Sequence, residues 1–183
     1  MISDQDRSGY FGASDTHIML SNTKTKTFGN WWLEKLGLRV NKISTVAMKA
    51  GTHYEHRILE AIGVTSYDKQ FIIEKYKLRV NLDGDKDGCI YEVKTCKYGK
   101  PFVLPKKYKE QVQAQMFGSN MRKAKIIVYA LKPNDYKNFF NPIDKDRLFT
   151  FDIEYDKKWI EEKYLPRLQY LALCLESGVF PDV

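Results

Sequence analysis

Apolar and polar positions along this chain change period several times, and each change marks an element. Ser14 reads as an N-cap with Asp15 in the first turn, opening a helix that a polar stretch over residues 21–27 closes. Residues 30–38, with the Trp31–Trp32 pair, predict a second short helix ended by Gly37. Over residues 45–62, Ala47, Tyr54, Ile58 and the pair Ala61 and Ile62 recur at helical spacing, and Gly63 supplies the stop. Residues 70–82 and 89–96 read as β-rich stretches joined by an Asp/Gly turn. Pro105 opens a helix to about Gly118 in which Tyr108, Gln111, Val112, Gln115 and Met116 share a face. Residues 126–131 read as a buried strand, 148–153 as an alternating one, and 155–176 as a long terminal helix kinked at Pro166. No repeat, low-complexity tract or linker interrupts this order of helices, meander, helix, two strands and helix. The pattern predicts one α/β domain over residues 1–183.

Composition narrows the classes. At 183 residues, with 43% hydrophobic and 29% charged positions, the chain can build a core without disulfide staples. Thirty Lys and Arg against 23 Asp and Glu leave a formal charge of +7, which fits a polyanionic partner. Cys89, Cys96 and Cys174 lack C-x-x-C spacing, which argues against a zinc site, a disulfide framework or an iron–sulfur cluster. No apolar run is long enough to cross a membrane and the first residues carry no signal-peptide core, so the expected compartment is a reducing cytoplasm.

The densest chemistry lies between Asp83 and Lys94. Asp83 precedes a turn, and Glu92 and Lys94 project together from the returning strand while Val93 turns toward the core. Two carboxylates and an ammonium at a hairpin suit phosphodiester hydrolysis, because carboxylates hold a divalent metal and a lysine stabilises developing charge. Asp-x-Asp-x-Asp-Gly also opens an EF-hand loop. Counted from Asp83, however, position 12 is Lys94 where a bidentate Glu must sit, and residues 74–80 read as a strand where a helix is needed. An acidic, solvated hairpin turn accounts for Asp85, Asp87 and Gly88, but not for Glu92 and Lys94 sharing a face beyond Asp83.

Asp83-Gly84 followed by Glu92-x-Lys94 resembles the PD-(D/E)XK nuclease core, with Leu82 in place of the proline and a short gap implying a tight hairpin. Three further segments are similar, in the same order, to the lambda exonuclease and YqaJ-type viral recombinase nucleases. They are Arg7 to Asp15, with its Gly-Ala-Ser-Asp ending; Gly51-Thr52-His53-Tyr54-Glu55; and Tyr108-Lys109-Glu110-Gln111-Val112-Gln113-Ala114-Gln115-Met116. The matches span residues 7–116, and the last third of the chain carries none.

The resemblance implies a central mixed β-sheet flanked by helices, as in restriction endonucleases, and a processive 5′→3′ exonuclease acting on the ends of linear double-stranded DNA. Asp83 and Glu92, with the Val93 carbonyl, would bind Mg2+ (Mn2+ substituting), as one ion or two. Glu55 would complete the metal shell and Gln111 would position water or substrate. Lys94 would orient or deprotonate the attacking water, or stabilise charge on the phosphorane. Arg7 and Ser14 would bind the 5′-phosphate. The family further implies a single-strand annealing partner, a role in phage-type recombination in a bacterial host cytoplasm, and a homo-oligomer such as a ring trimer.

Simpler readings stand beside these. Ser14 serves as a helix cap, a role compatible with holding phosphate. His53 and His56 lack a third partner at useful spacing and read as solvated. Trp31 and Trp32 either stack on DNA or pack in the core, the core being favoured for at least one. Tyr108, Lys97 and Lys107, with Lys100, Lys106 and Lys109, either track DNA phosphates or form a solvated face. Rival functions are an endonuclease or structure-specific resolvase on the same core, a non-catalytic DNA-binding module, and a calcium-regulated module. A CRISPR adaptation-type nuclease would bring a cysteine cluster that is absent.

Overall fold

The computed structural model describes residues 8–40 and 45–182. Its strands are β1 (Phe11–Gly12), β2 (Ser66–Ile73), β3 (Leu78–Lys86), β4 (Cys89–Lys97), β5 (Lys123–Leu131) and β6 (Leu148–Glu154). Its helices are α1 (Thr16–Met19), α2 (Lys26–Lys35), α3 (Val46–Ala61), α4 (Lys106–Ser119), α5 (Lys157–Trp159) and α6 (Leu165–Glu176). The strands form one mixed sheet in the order β1–β3–β4–β5–β6, with β2 also paired to β3. β1–β3 and β4–β5 are parallel; β2–β3, β3–β4 and β5–β6 are antiparallel.

The pairing of β3 shapes the molecule. β2 runs along β3 from Ile73↔Leu78 to Ser66↔Asp85. β4 pairs with β3 only from Lys86↔Cys89 to Gly84↔Tyr91, then leaves to follow β5 from Cys89↔Lys123 to Lys97↔Leu131. β1 meets β3 at Leu78 and Arg79. Residues 80–83 of β3 therefore pair with neither β1 nor β4, and the sheet forks there.

Two apolar clusters clamp the sheet. One joins Phe11, Phe28, Trp31 and Trp32 to Ile90, Ile126, Val128, Val112, Met116 and the terminal helix. The other sets Ala50, Tyr54, Ile58 and Leu59 of α3 against Val93, Ile127 and Tyr129. Both tryptophans belong to the first, Trp32 wholly buried with its Nε1 donating to the Val179 carbonyl at 3.1 Å, so neither is available to stack on DNA. Val93 faces the core as the alternation requires.

Several boundaries differ from the sequence pattern. The expected strand over residues 70–82 is two strands, broken by a 3₁₀ turn at Glu74–Tyr76 and by Lys77 at φ 48°. No Gly, Pro or Asn announces this turn; it is held by Lys77 N–H donating to the Glu74 carbonyl and by Lys77 Nζ beside Glu176 at 3.4 Å. The Asp/Gly turn is Asp87–Gly88, both at positive φ, the two-residue reversal suited to a twisted hairpin. Asp85 thus belongs to β3, where it accepts from Ser66 Oγ and Lys69 Nζ, each at 2.8 Å. α2 starts four residues before the expected helix because Thr25 caps it, accepting from Phe28 N–H. α4 contains Gly118 and ends at Asn120, at φ 60°. In the terminal segment a π-helical turn (Ile160–Tyr164) precedes Pro166 and absorbs the disturbance expected as a kink. Among the described residues no helix is long and apolar enough to cross a membrane.

Candidate active site at the fork of the sheet

Where β3 and β4 part, Asp83 closes the hairpin with its side chain: Oδ2 accepts the Val93 N–H at 2.7 Å. Asp83 Oδ1 accepts no hydrogen bond among the described residues and remains open to the cleft. Burial, then the charges of Glu92 and Glu55, push the Asp83 carboxyl well above the usual range, against the opposing influence of Lys94 and the Val93 amide.

Glu92 is 2% exposed and accepts three side-chain hydrogen bonds. Its Oε1 accepts from Lys94 Nζ at 2.6 Å and Gln111 Nε2 at 2.5 Å, and its Oε2 from Gln115 Nε2 at 2.5 Å. With three donors on about four acceptor sites, Oε2 keeps a lone pair. Burial works against the charge of Lys94, but the carboxylates of Glu92 and Asp83 outweigh it and raise its pKa. The ammonium also lies 5.1 Å above the Tyr108 ring, which carries Lys107 Nζ at 5.3 Å as well.

Asp83, Glu92, Lys94 and Gln111 line a pocket of about 270 Å³ with Gly12, Ala13, Ser14 and Asp15 and with Lys35, Arg79 and Asn81. Ser14 reaches this pocket but does not cap a helix: a 3₁₀ turn, Ala13–Asp15, precedes α1, and Asp15 takes the backbone work by accepting the Gly12 N–H at 2.8 Å. Arg7 lies outside the described residues. Lys97 and Lys107 are exposed, on the last residue of β4 and the first turn of α4.

Glu55 is not among the residues lining this pocket. Burial, followed by repulsion from Glu92, pushes its carboxyl up to about 7. Its donor atom lies within 4.8 Å of those of His56 and Asp68, the one such group of three found among the described residues. His56 is not simply solvated: Nε2 stands 3.1 Å from Asp68 Oδ2 and the ring stacks on Tyr67. His53 is exposed, with its ring against Phe139. With Asp83 and Asp85 both in a strand, no calcium loop forms.

Four residues of the pocket region escaped the sequence reading. Arg79 and Asn81 alternate with Asp83 along β3, a spacing that could have flagged them. Gln115 lies on the expected face of α4. Lys35 had no local signal, since its partner Asp15, at 2.6 Å, is distant in sequence. Of the described arginines, Arg79 alone makes no hydrogen bond or ion pair; its guanidinium lies 5.9 Å from the Tyr10 ring centre.

No family model matches the sequence, and no curated protein matches it. Solved structures do. An alkaline exonuclease, LHK-Exo, from Laribacter hongkongensis superposes with a TM-score of 0.69 at 20% identity over 93% of this chain and 89% of that one. A complex of LHK-Exo with dAMP gives the same score and coverage at 22% identity. A phage-related exonuclease from Haemophilus somnus 129PT gives 0.68 at 13% identity over 92% of this chain and 96% of that one. The chain thus shares the fold of these exonucleases, an α/β fold whose central mixed sheet is flanked by helices, as the resemblance implied.

Proposed function

We propose that the chain is a metal-dependent nuclease of the lambda exonuclease and YqaJ type, digesting linear duplex DNA processively from its 5′ ends. One observation carries this reading: segments distant in sequence bring Ser14, Asp83, Glu92-x-Lys94 and Gln111 into a single pocket at the fork of the sheet. The fold shared with exonucleases supports it.

The donor set fits a hard divalent cation. Asp83 offers an open oxygen, Glu92 a spare lone pair, and Glu55 adds a third carboxylate whose charge is felt at Asp83. Asp83, Glu92 and the Val93 carbonyl would hold Mg2+, or Mn2+ in its place, with Glu55 completing the shell. When bound, the ion supplies Lewis-acid polarisation of the phosphate and acidifies water.

The chain's own groups do the positioning. Lys94, kept charged by Glu92 and Asp83, orients the attacking water or neutralises charge on the phosphorane. Gln111 holds Glu92 and faces the substrate. Ser14 and Arg79 receive the terminal phosphate, for which a guanidinium is suited by its planar fork; Arg7 joins them on the strength of the family motif. Lys97, Lys107 and Tyr108 follow the DNA backbone. LHK-Exo holding dAMP agrees with release of mononucleotides. The same reading assigns the chain to phage-type recombination in a bacterial cytoplasm, as a homo-oligomer such as a ring trimer handing its 3′ overhang to an annealing protein.

The test is a linear duplex with one end 5′-phosphorylated and the other 5′-hydroxyl, labelled at both 3′ ends, digested in Mg2+ beside a closed circle. Loss from the phosphorylated 5′ end with an intact circle is expected. Nicking of the circle would instead identify an endonuclease, and binding without cleavage a non-catalytic module.

A further inference from the structure

Gln115 is 1% exposed and bridges two strands that have stopped bonding to each other. Its Nε2 donates to the Asn81 carbonyl on β3 at 3.1 Å and to Glu92 Oε2 on β4 at 2.5 Å. Both neighbours are acceptors, so the amino end of the amide must face them. The cost of that orientation is visible: Gln115 Oε1 is buried with no hydrogen-bond partner among the described residues. An orphaned buried carbonyl carries a desolvation penalty that nothing offsets. Packing alone would be served better by methionine, which has similar volume and nothing to satisfy.

The helix carrying Gln115 is seated unusually close to β3. At Gly118, within α4, an added Cβ would stand 2.5 Å from Val80 Cγ2 and 3.2 Å from Val80 Cβ. Glycine inside a helix is less favourable than alanine. That cost brings α4 against β3, so that a side chain on its preceding turn can reach into the fork.

We infer that Gln115 is a positioning residue that spans the opened strands and fixes the Glu92 carboxylate for its ligand, and that Gly118 sets its reach. This rests on the reading of Asp83 and Glu92 as a divalent-cation site. Gln111 and Lys94 hold one oxygen of Glu92; among the described residues Gln115 alone holds the other. Without it, Glu92 can rotate about the remaining contacts, and the bare stretch of β3 loses the donor standing in for a ladder bond.

The test titrates Mn2+ into the DNA-free protein by calorimetry and measures melting in chelator, for wild type, Gln115→Met, Gly118→Ala and Asp83→Asn. Gln115→Met is expected to bind Mn2+ about 10–100-fold more weakly, the range for loss of a group that orients a metal ligand. Its metal-free melting temperature should equal or exceed that of wild type, because the orphaned carbonyl is gone. Gly118→Ala should also weaken Mn2+ binding. Wild-type Mn2+ affinity in Gln115→Met, with or without a lower melting temperature, would overturn the role of Gln115. Wild-type affinity in Gly118→Ala would overturn the role of Gly118. Failure of the cation-site reading has a separate signature: wild type that binds no Mn2+, or Asp83→Asn that binds it equally well.

Discussion

The carboxylate of Asp83 on β3 accepts the backbone amide of Val93 on β4, at 2.7 Å, just past the last paired residues Gly84 and Tyr91. One side chain therefore both ends the hairpin ladder and presents an oxygen to the cleft. These two jobs can be separated. In Asp83→Asn the amide oxygen can still accept from Val93, while the charge that attracts a cation is lost. The metal-free melting temperature is expected to stay near that of wild type. Wild type should melt higher in millimolar Mg2+ or Mn2+, by mass action on the folded state, and Asp83→Asn should lose that rise. A rise of wild-type size in the variant would remove Asp83 from the cation site.

Lys94 touches Glu92 at 2.6 Å and is half-buried, its ammonium over the face of the Tyr108 ring. Lys94→Ala should lower turnover on linear duplex by about 10²–10⁴-fold, the range for losing a positioned proton-transfer or charge-stabilising group. Duplex binding, followed by fluorescence anisotropy, should remain largely intact because the exposed lysines are untouched. Normal turnover would remove Lys94 from the active-site assignment.

How much of this was legible depended on how far each signal extends along the chain. The pair Glu92 and Lys94 followed from strand alternation, a local rule. α3 was readable because its period, the Thr45 cap and Gly63 all agree. The break at Lys77 was not, because a lysine in a left-handed conformation carries no propensity signal and its stabilising partner, Glu176, is nearly a hundred residues away. Ser14 illustrates a different failure: Ser and Asp are both good caps, and it is Asp15, paired with the distant Lys35, that takes the Gly12 amide. The fork itself is a tertiary fact, set by β4 choosing β5 over β3. Gln115 and Gly118 acquire meaning only once it is known.

Arg79 is the described arginine whose side chain makes no hydrogen bond or ion pair, and it lines the pocket with Ser14. Removing it should lower the preference for a 5′-phosphorylated over a 5′-hydroxyl end. The ratio of the two rates within Arg79→Ala is expected to fall about tenfold or more relative to the same ratio in wild type, the scale of a charge-assisted contact worth about 1.5–3 kcal/mol. Because the ratio is taken within one variant, partial misfolding cancels. An unchanged ratio would assign the phosphate to other groups.

Far from the cleft, Asp135 and Arg147 form a buried pair that predicts an acid limit to stability. Arg147 Nη1 lies 2.5 Å from Asp135 Oδ2, which also accepts from the Lys132 amide at 2.7 Å, while Asn141 donates to Oδ1 at 3.1 Å. Burial alone would raise the Asp135 pKa, but the Arg147, Asn141 and Lys132 hydrogen bonds together hold it below the ordinary aspartate value of 3.8. A depressed folded-state pKa gives stability that is complete above the unfolded value and is lost as pH falls toward the folded one. Wild type and Asp135→Asn should therefore differ most in urea stability at neutral pH, by up to about 3–5 kcal/mol for a broken buried pair. The gap should stay constant down to about pH 5 and narrow below 3.8. A gap that widened on acidification, or was absent at neutral pH, would show that the pair contributes nothing through its charge.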